Sequence, residues 1–114
     1  MIFREEIKEM ENKEGIVWIT QENNKNYSQA KNYGEPTFVT SFEYSSIANS
    51  KINTVIKKDI DTMANKFNPE TDHLLFTGDP VIIALCVHAL LAIHGSINVL
   101  KWANQDKIYN SINL

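Results

Sequence analysis

The segment Pro80–His94 constrains the fold of this protein more than any other feature of the sequence. His88 and His94 carry its only polar side chains, and apolar residues cover every side of the helix that the segment predicts. A helix that is apolar all round must be buried all round. The segment is too short for a membrane span, which takes roughly 20 apolar residues. We therefore predict that this helix packs on a sheet, in a protein that does not contact a membrane.

The covering of this helix bears on the number of chains in the molecule. A sheet covers one side of it, and a second helix covers part of another. In a domain of 114 residues, a second copy of the protein is the remaining cover, which predicts a homo-oligomer with this helix at or near the interface. Complete burial within a single chain is the alternative.

Strand patterns flank the apolar helix on both sides. Residues 73–77 form a short apolar strand that leads through the turn Gly78-Asp79-Pro80 into the helix, and the glycine after the helix ends it. Residues 96–102 and 107–113 are two further strands. A strand, a helix and a strand in that order predict a parallel, right-handed unit, and the last two strands predict a hairpin.

The first half of the chain predicts the remaining elements. In sequence order they are an amphipathic helix over residues 1–13, a strand over Ile16–Gln21, a polar loop over 22–36, a strand over 37–44 antiparallel to the first, and a helix from Ser45 or Ser46 to Lys66. The predicted fold class is therefore α+β: a small mixed sheet of about five strands packed with two main helices and a short N-terminal helix. Residues 1–114 form one ligand-binding domain.

Composition excludes some classes of protein. Eleven basic and fourteen acidic residues give a net charge of −3, which disfavours binding to a nucleic acid polymer. One cysteine makes no disulfide within the chain, and the first residues carry no secretory signal, so we expect a cytoplasmic protein. Ile, Asn and Lys are abundant and Arg4 is the only arginine, which is typical of a low-GC bacterial or phage genome.

The turn Thr77-Gly78-Asp79 is a candidate ligand site. It leads from the carboxyl end of a strand into a helix N-terminus, whose free N–H groups suit a phosphate. Thr77 adds a hydroxyl, and Gly78 allows a ligand to approach the backbone. In the alternative interpretation, Asp79 is the N-cap and its own carboxylate occupies those N–H groups.

Three more residues are candidates for ligand contacts. Lys101 and Trp102 end the next strand, where they offer a cation and a face on which a base stacks. Trp18 offers a second flat face, with Tyr27 and Tyr33 of the polar loop closing above it. In the alternative interpretation, both tryptophans fill the core and Lys101 is solvated.

Catalytic and metal sites are not predicted. His73, His88 and His94 are scattered, and Cys86 has no cationic neighbour that would lower its pKa. The sequence carries no nucleophile elbow, triad order or metal-binding motif. We therefore expect no catalytic residue, no metal, no cofactor and no enzyme activity.

The Trp18 strand and the block DHLLFTGDPVIIALCVHALLAIHGSINVLKW resemble the Thoeris anti-defence protein 1 family of phages. The resemblance implies a small oligomeric protein in the host cytoplasm that binds a cyclic ADP-ribose isomer and does not cleave it. Such a ligand asks for lysines or a helix end at its pyrophosphate and for aromatic faces at its base. The candidate ligand-binding residues remain those identified from the sequence, Trp18, Thr77, Gly78, Asp79, Lys101 and Trp102, and the loop over residues 22–36 is the candidate lid.

Two other functions remain open at this point. One is an oligomeric interaction protein that docks a host factor through an apolar helix face. The other is a small nucleotide-cleaving enzyme with Asp79 or a histidine as the acid or base.

Overall fold

The computed structural model describes residues 15–114. The helix predicted for residues 1–13 lies outside them. The described elements are β1 (Ile16–Gln21), a 3₁₀ helix (Ser28–Asn32), β2 (Glu35–Thr40), α1 (Lys51–Lys66), β3 (His73–Leu75), α2 (Pro80–His94), β4 (Asn98–Ala103) and β5 (Ile108–Asn113). The five strands form one sheet in the order β2-β1-β3-β4-β5. The predicted fold class is confirmed: an α+β domain with a mixed five-stranded sheet and two main helices.

The direction of β2 corrects the sequence prediction. β2 runs parallel to β1, with Trp18 opposite Thr37, where an antiparallel pair was expected. The physical reason is the connection over residues 22–34, which is long enough to return the chain to the same end of the sheet. It contains the 3₁₀ helix, whose Ala30 is buried. β1, β2, β3 and β4 are thus parallel, and β5 alone is antiparallel to its neighbour.

The segment between β2 and α1 is a longer loop than the sequence predicts. β2 ends at Thr40 and α1 begins at Lys51. The predicted strand and helix therefore extended too far into residues 41–50. Side chains of Asp79 and Asn53 form hydrogen bonds with backbone groups of this loop. The Asp79 carboxylate accepts the Tyr44 N–H at 2.9 Å, and the Asn53 amide bonds to the N–H and C=O of Ser45 at 2.7 and 2.8 Å. The loop is therefore stable without joining either element.

The core has two layers, one on each face of the sheet. Side chains alternate between faces along a strand. Trp18, Leu74 and Val99 face α1 and α2 and form the larger cluster with them. Their neighbours Val17, Ile19, Leu75 and Leu100 face the other way and pack with Tyr27 and Ala30 of the β1–β2 connection. The sheet therefore separates a helix face from a loop face.

The apolar helix α2 is only partly buried. Pro80 begins it and Gly95 ends it with a φ of 76°, as predicted, and Asp79 caps it, as in the alternative interpretation of that residue. Ile82, Cys86 and Leu90 are its buried residues, whereas Val81 is 46% exposed and Ile93 is 53% exposed. The contacts described for residues 15–114 therefore leave part of α2 uncovered. None of the helices in residues 15–114 is both long and apolar enough to cross a membrane.

The connection that follows β1 and the connection that follows β3 cross opposite faces of the sheet. The backbone leaves β1 over the loop face to reach β2, and it leaves β3 through α2 on the helix face to reach β4. β1 and β3 are adjacent and parallel, so their carboxyl ends meet where the strand order reverses. In open sheets with helical crossovers, ligands bind in the crevice at such a point.

Candidate functional site

The carboxyl ends of β1 and β3 are tied together through two threonines. The Thr20 hydroxyl donates to the Thr77 C=O at 2.6 Å and accepts the Thr77 N–H at 2.8 Å. Both side chains are buried. This pair of hydrogen bonds continues the alignment of the strands past their last paired residues and fixes the Thr77 backbone.

The loop after β1 reaches the same threonine from the other side. The Asn23 amide donates to the Thr77 hydroxyl, and the Tyr27 hydroxyl donates to Asn23 Oδ1. The Tyr27 oxygen also lies 3.3 Å from Thr77 Oγ1. Asn23 Oδ1 accepts the Lys25 N–H at 3.1 Å, which turns the loop beside the site. Residues 23–27 are therefore held against the end of β3.

A cavity of about 360 Å³ lies between this loop and the ends of β3, β4 and β5, on the loop face of the sheet. Its lining combines four aromatic rings with one cation, two aliphatic side chains, an amide and a hydroxyl. These residues are Lys25, Asn26, Tyr27, Leu75, Phe76, Thr77, Leu100, Trp102 and Tyr109. The volume lies within the range of roughly 300–1,000 Å³ that small-molecule sites occupy.

Trp102 and Tyr109 form the aromatic wall of this cavity. They are directly opposite in the β4–β5 ladder, and their rings meet edge to face with centroids 4.9 Å apart. Trp102 remains 40% exposed, so much of its surface is open to a ligand. Burial, and to a lesser extent the nearby Tyr27, raises the pKa of the Tyr109 phenol. Its hydroxyl is therefore neutral at physiological pH and available as a donor.

Gly78 and Asp79 form the turn behind Thr77. Asp79 accepts the Val81 N–H through Oδ1 and the Tyr44 N–H through Oδ2, both at 2.9 Å, while its own N–H donates to Gln21 Oε1 at 2.6 Å. Gly78 has a φ of 86°, and a Cβ there would overlap the Gln21 side chain. These contacts match the structural cap that the sequence left open as an alternative.

A second cavity, of about 530 Å³, lies on the helix side of this turn. Asp79 and Val81 line it together with the loop between β2 and α1. Its lining includes one aromatic ring, that of Tyr44, whose centroid lies 6.0 Å from Lys57 Nζ. Because the smaller cavity joins Thr77 with Trp102 and three further rings, we take it as the candidate site.

The structure does not bring Trp18 or Lys101 to this cavity. Trp18 is buried on the helix face, and its indole N–H donates to Asp72 Oδ2 at 3.0 Å. Lys101 alternates with Leu100 and Trp102 along β4, so it projects from the opposite face of the sheet. Two of the six residues expected at the site line the candidate cavity, namely Thr77 and Trp102.

Lys25 and Tyr109 are site residues that the sequence interpretation missed. Tyr27 was expected over Trp18, but it lines the cavity near Trp102 instead. The available signal was the mixture of Lys, Asn and Tyr in a loop following a strand. Using that signal required the parallel pairing of β1 with β3, which places the start of this loop beside the carboxyl ends of β3 and β4.

The histidines and the cysteine do not assemble a second centre. Burial raises the pKa of the Cys86 thiol to about 12, so it stays protonated. Burial lowers the pKa of His73, against a smaller opposing effect of the Asp72 charge. Within residues 15–114, no group of three or more His, Cys, Asp or Glu residues is arranged to hold a metal ion.

Comparison with curated proteins and with solved structures finds no match to this protein. A family model described as phage Pam3 gp32-like protein matches residues 9–114. That description names a phage protein and states no ligand. Because the match spans nearly the whole sequence, the chain belongs to the phage Pam3 gp32-like protein family.

Proposed function

We propose that this phage protein binds a cyclic ADP-ribose-type nucleotide and sequesters it without cleaving it. The observation that carries the proposal is the cavity in which Thr77 and Trp102 meet Lys25 and two tyrosines at the point where the strand order reverses. The ligand class comes from the resemblance of the Trp18 strand and of residues 72–102 to the Thoeris anti-defence protein 1 family. The cavity supplies the groups that this ligand class requires.

In this proposal, the adenine base of the nucleotide stacks on the aromatic wall formed by Trp102 and Tyr109. Trp102 is 40% exposed, and Phe76 on the neighbouring β3 end is exposed beside the same cavity. Stacking of a base on an aromatic side chain contributes about 1–3 kcal/mol. Trp102 is therefore the residue on which base binding depends most.

The pyrophosphate of the nucleotide binds to the loop wall, which is the side of the cavity formed by residues 25–27. Lys25 supplies a cation, and the side-chain amide of Asn26 supplies a neutral donor on the same segment. The Thr77 hydroxyl lies between this loop and the aromatic wall, within reach of a ribose or phosphate oxygen. A protein with a net charge of −3 thus offers a local cation to one small anion.

The chemistry of the lining favours sequestration over cleavage. Among the described residues that line the cavity, there is no Asp, Glu, His or Cys to act as general acid, general base or nucleophile. Asp79, the acid or base of the enzyme alternative, has both carboxylate oxygens hydrogen-bonded to backbone N–H groups. Its carboxylate is occupied as a cap.

The experiment compares ligand-induced thermal shifts of the full-length protein and three variants, using a cyclic ADP-ribose isomer as the probe. Trp102→Ala and Lys25→Ala are each expected to weaken binding at least tenfold, about 1.4 kcal/mol. Lys58→Ala, an exposed lysine on the far side of the sheet, is the matched control. Intact nucleotide recovered after heat denaturation supports sequestration, whereas product in excess of protein supports the enzyme alternative.

The exposed side of α2 favours a second candidate, a protein that docks a host factor. Val81 is a large apolar residue exposed on this side, and Ile93 is exposed at the C-terminal end of the helix. In our proposal the same surface serves a homo-oligomer in the host cytoplasm. If the protein acts by docking a host factor, Trp102→Ala is expected to keep its anti-defence activity. If it acts by binding the nucleotide, the same variant is expected to lose that activity.

A further inference from the structure

The side chain of Asn23 fixes the direction of the hydrogen bonds around Thr77, although Asn23 is not one of the residues that line the candidate cavity. Its Oδ1 accepts the Lys25 N–H at 3.1 Å. A backbone N–H can only donate, so the other terminal atom of this amide is the NH₂ group. That group donates to Thr77 Oγ1. The main chain of the loop therefore determines which end of the amide meets Thr77.

The Tyr27 hydroxyl has one proton, and it donates that proton to Asn23. An amide oxygen can only accept, so the contact between the Tyr27 hydroxyl and Asn23 Oδ1 uses the phenol proton. Burial, and to a lesser extent Tyr27, raises the pKa of the Tyr109 phenol, which agrees with a Tyr27 hydroxyl on the Tyr109 side of the cavity. Toward the cavity that it lines, Tyr27 therefore offers an acceptor oxygen.

The Thr77 hydroxyl is the complementary case. Its oxygen accepts the Asn23 NH₂ group, so its own proton is left for another acceptor. Within residues 15–114, the other partner of this hydroxyl is the Tyr27 oxygen at 3.3 Å, which is longer than the usual O–H···O distance of about 2.5–3.0 Å. Thr77 is 6% exposed and lines the cavity, so a ligand there meets a buried donor that lacks a strong acceptor.

A donor and an acceptor thus lie side by side in the buried part of the cavity. A hydroxyl can accept from Thr77 and donate to Tyr27, whereas an ionised phosphate oxygen can only accept and would face the lone pairs of Tyr27. Lys25, the cation of the lining, is exposed, so it meets an anionic group nearer to solvent. With the base on the aromatic wall, the sugar is the part of the nucleotide that fits this pair.

We propose that Thr77 and Tyr27 form a subsite for a ribose hydroxyl, and that Asn23 is the positioning residue that makes Thr77 the donor and Tyr27 the acceptor. This inference rests on the proposed function, since the ribose is that of the sequestered nucleotide. It deepens that function by assigning the sugar, and not the pyrophosphate, to the buried part of the cavity. It also gives a role in recognition to a residue outside the lining.

The first test removes the hydroxyl from the ligand. Calorimetric titration of the full-length protein uses a cyclic ADP-ribose isomer and analogues that each lack one ribose hydroxyl. We expect at least one analogue to bind at least tenfold more weakly than the parent nucleotide. The same analogue is expected to bind less than threefold more weakly in Tyr27→Phe, whereas the matched control Tyr44→Phe keeps the full difference.

Binding of every analogue as tightly as the parent would overturn the subsite and leave the proposed function standing. That result is expected if the edge of the base, which also carries a donor and an acceptor, occupies the subsite instead. A difference that Tyr27→Phe does not reduce would likewise overturn it.

The second test examines Asn23 with a neutral probe. Asn23→Asp keeps the acceptor for Lys25 and Tyr27 but places a second acceptor opposite Thr77, so the Thr77 proton turns away from the cavity. Adenosine carries no phosphate, so the added charge does not repel it. In NMR titrations of the full-length protein, we expect adenosine to bind at least fivefold more tightly than its 2′-deoxy or 3′-deoxy form, and Asn23→Asp to lose this preference.

Thr77→Val, which is expected to lose the preference, and Thr77→Ser, which is expected to keep it, make the test decisive if Asn23→Asp does not fold. No binding of adenosine, no preference for it, or a preference that persists in Asn23→Asp or Thr77→Val would overturn the proposal. A preference for adenosine in a protein that does not bind the cyclic nucleotide would support the subsite and overturn the proposed function.

Discussion

Asp72 shows how a single buried carboxylate organises this fold. It is 3% exposed and accepts four hydrogen bonds. Oδ1 accepts the Ile16 N–H at 2.9 Å and the Thr71 hydroxyl at 3.0 Å. Oδ2 accepts the Trp18 indole N–H at 3.0 Å and the Asn68 N–H at 2.9 Å. The carboxylate thus joins the start of β1, the indole of the core and the turn before β3.

Asp72→Asn tests this role. The amide replaces one acceptor oxygen with a donor that faces N–H groups, so at least one buried donor loses its partner. Hydrogen bonds to charged groups contribute about 1.5–3 kcal/mol each, and we expect a loss of at least about 2 kcal/mol in the free energy of unfolding. Urea unfolding followed by tryptophan fluorescence measures it. Asp61→Asn, on an exposed helix position, is the control, and equal losses in the two variants would refute the role.

Alanine substitutions at two glycines with similar φ angles distinguish the cost of backbone strain from the cost of a steric clash. Gly78 has a φ of 86° and abuts Gln21, whereas Gly95 has a φ of 76° and open space at the Cβ position. We expect Gly95→Ala to cost about 1 kcal/mol from backbone strain alone, and Gly78→Ala at least about 2 kcal/mol. Thermal unfolding of both variants makes the comparison, and equal costs would mean that the Gln21 contact is unimportant.

His73 predicts the direction of one pH dependence. Its Nδ1 is buried without a hydrogen-bond partner among the described residues, and burial lowers its pKa below the usual 6.5, against a smaller opposing effect of Asp72. As the pH falls through the unfolded-state pKa, the unfolded chain binds a proton that the folded protein resists, so stability decreases.

The measurement is chemical denaturation between pH 7.5 and 5. We expect His73→Gln to reduce the loss of stability at low pH, and the exposed His88→Gln to leave it unchanged. A loss of the same size in the His73 variant would show that other groups cause the dependence.

At the scale of elements, local chemistry made some boundaries predictable. α2 begins and ends where the sequence indicates because Asp79 caps it, Pro80 fits its first turn and Gly95 ends it. The limits of β1 were predictable for a similar reason, a run of β-branched residues after Gly15. The direction of β2 was not, because it depends on how a polar loop packs its single 3₁₀ turn on the sheet.

α2 also carries a prediction about assembly. Leu90 is fully buried, so a charge there tests folding, whereas Ala84 is exposed on the outer side. We expect Ala84→Glu to weaken self-association without lowering the melting temperature by more than a few degrees. Light scattering and thermal unfolding measure the two effects. Association equal to that of the unchanged protein would remove α2 from the interface.

At the scale of the whole molecule, the site is a product of topology. The loop wall with Lys25, the β3 end with Thr77 and the aromatic wall with Trp102 are distant in sequence and converge only because β1 and β3 are adjacent and parallel. Thr77 and Trp102 were predictable because Thr77 follows a recognisable strand and Trp102 lies near the end of another. Lys25 and Tyr109 were not predictable, because the sequence around each residue does not indicate that the two lie at the same cavity.

The same topology gives this small acidic domain a place for the anion that we propose it binds. The ends of parallel strands gather polar loop residues at one edge, beside Tyr27, Leu75 and Leu100 of the loop-face core. One lysine, several hydroxyls and an aromatic wall then meet in a space of about 360 Å³. That arrangement suits one compact nucleotide and not an extended nucleic acid.

Calorimetric titration of the purified full-length protein with a cyclic ADP-ribose isomer tests the central claim most directly. Sequestration of a scarce signal calls for nanomolar affinity, about −12 kcal/mol. We predict a saturable heat with stoichiometric binding, and a Trp102→Ala titration at least tenfold weaker. No heat at micromolar protein, together with no thermal stabilisation by the nucleotide, would contradict the account.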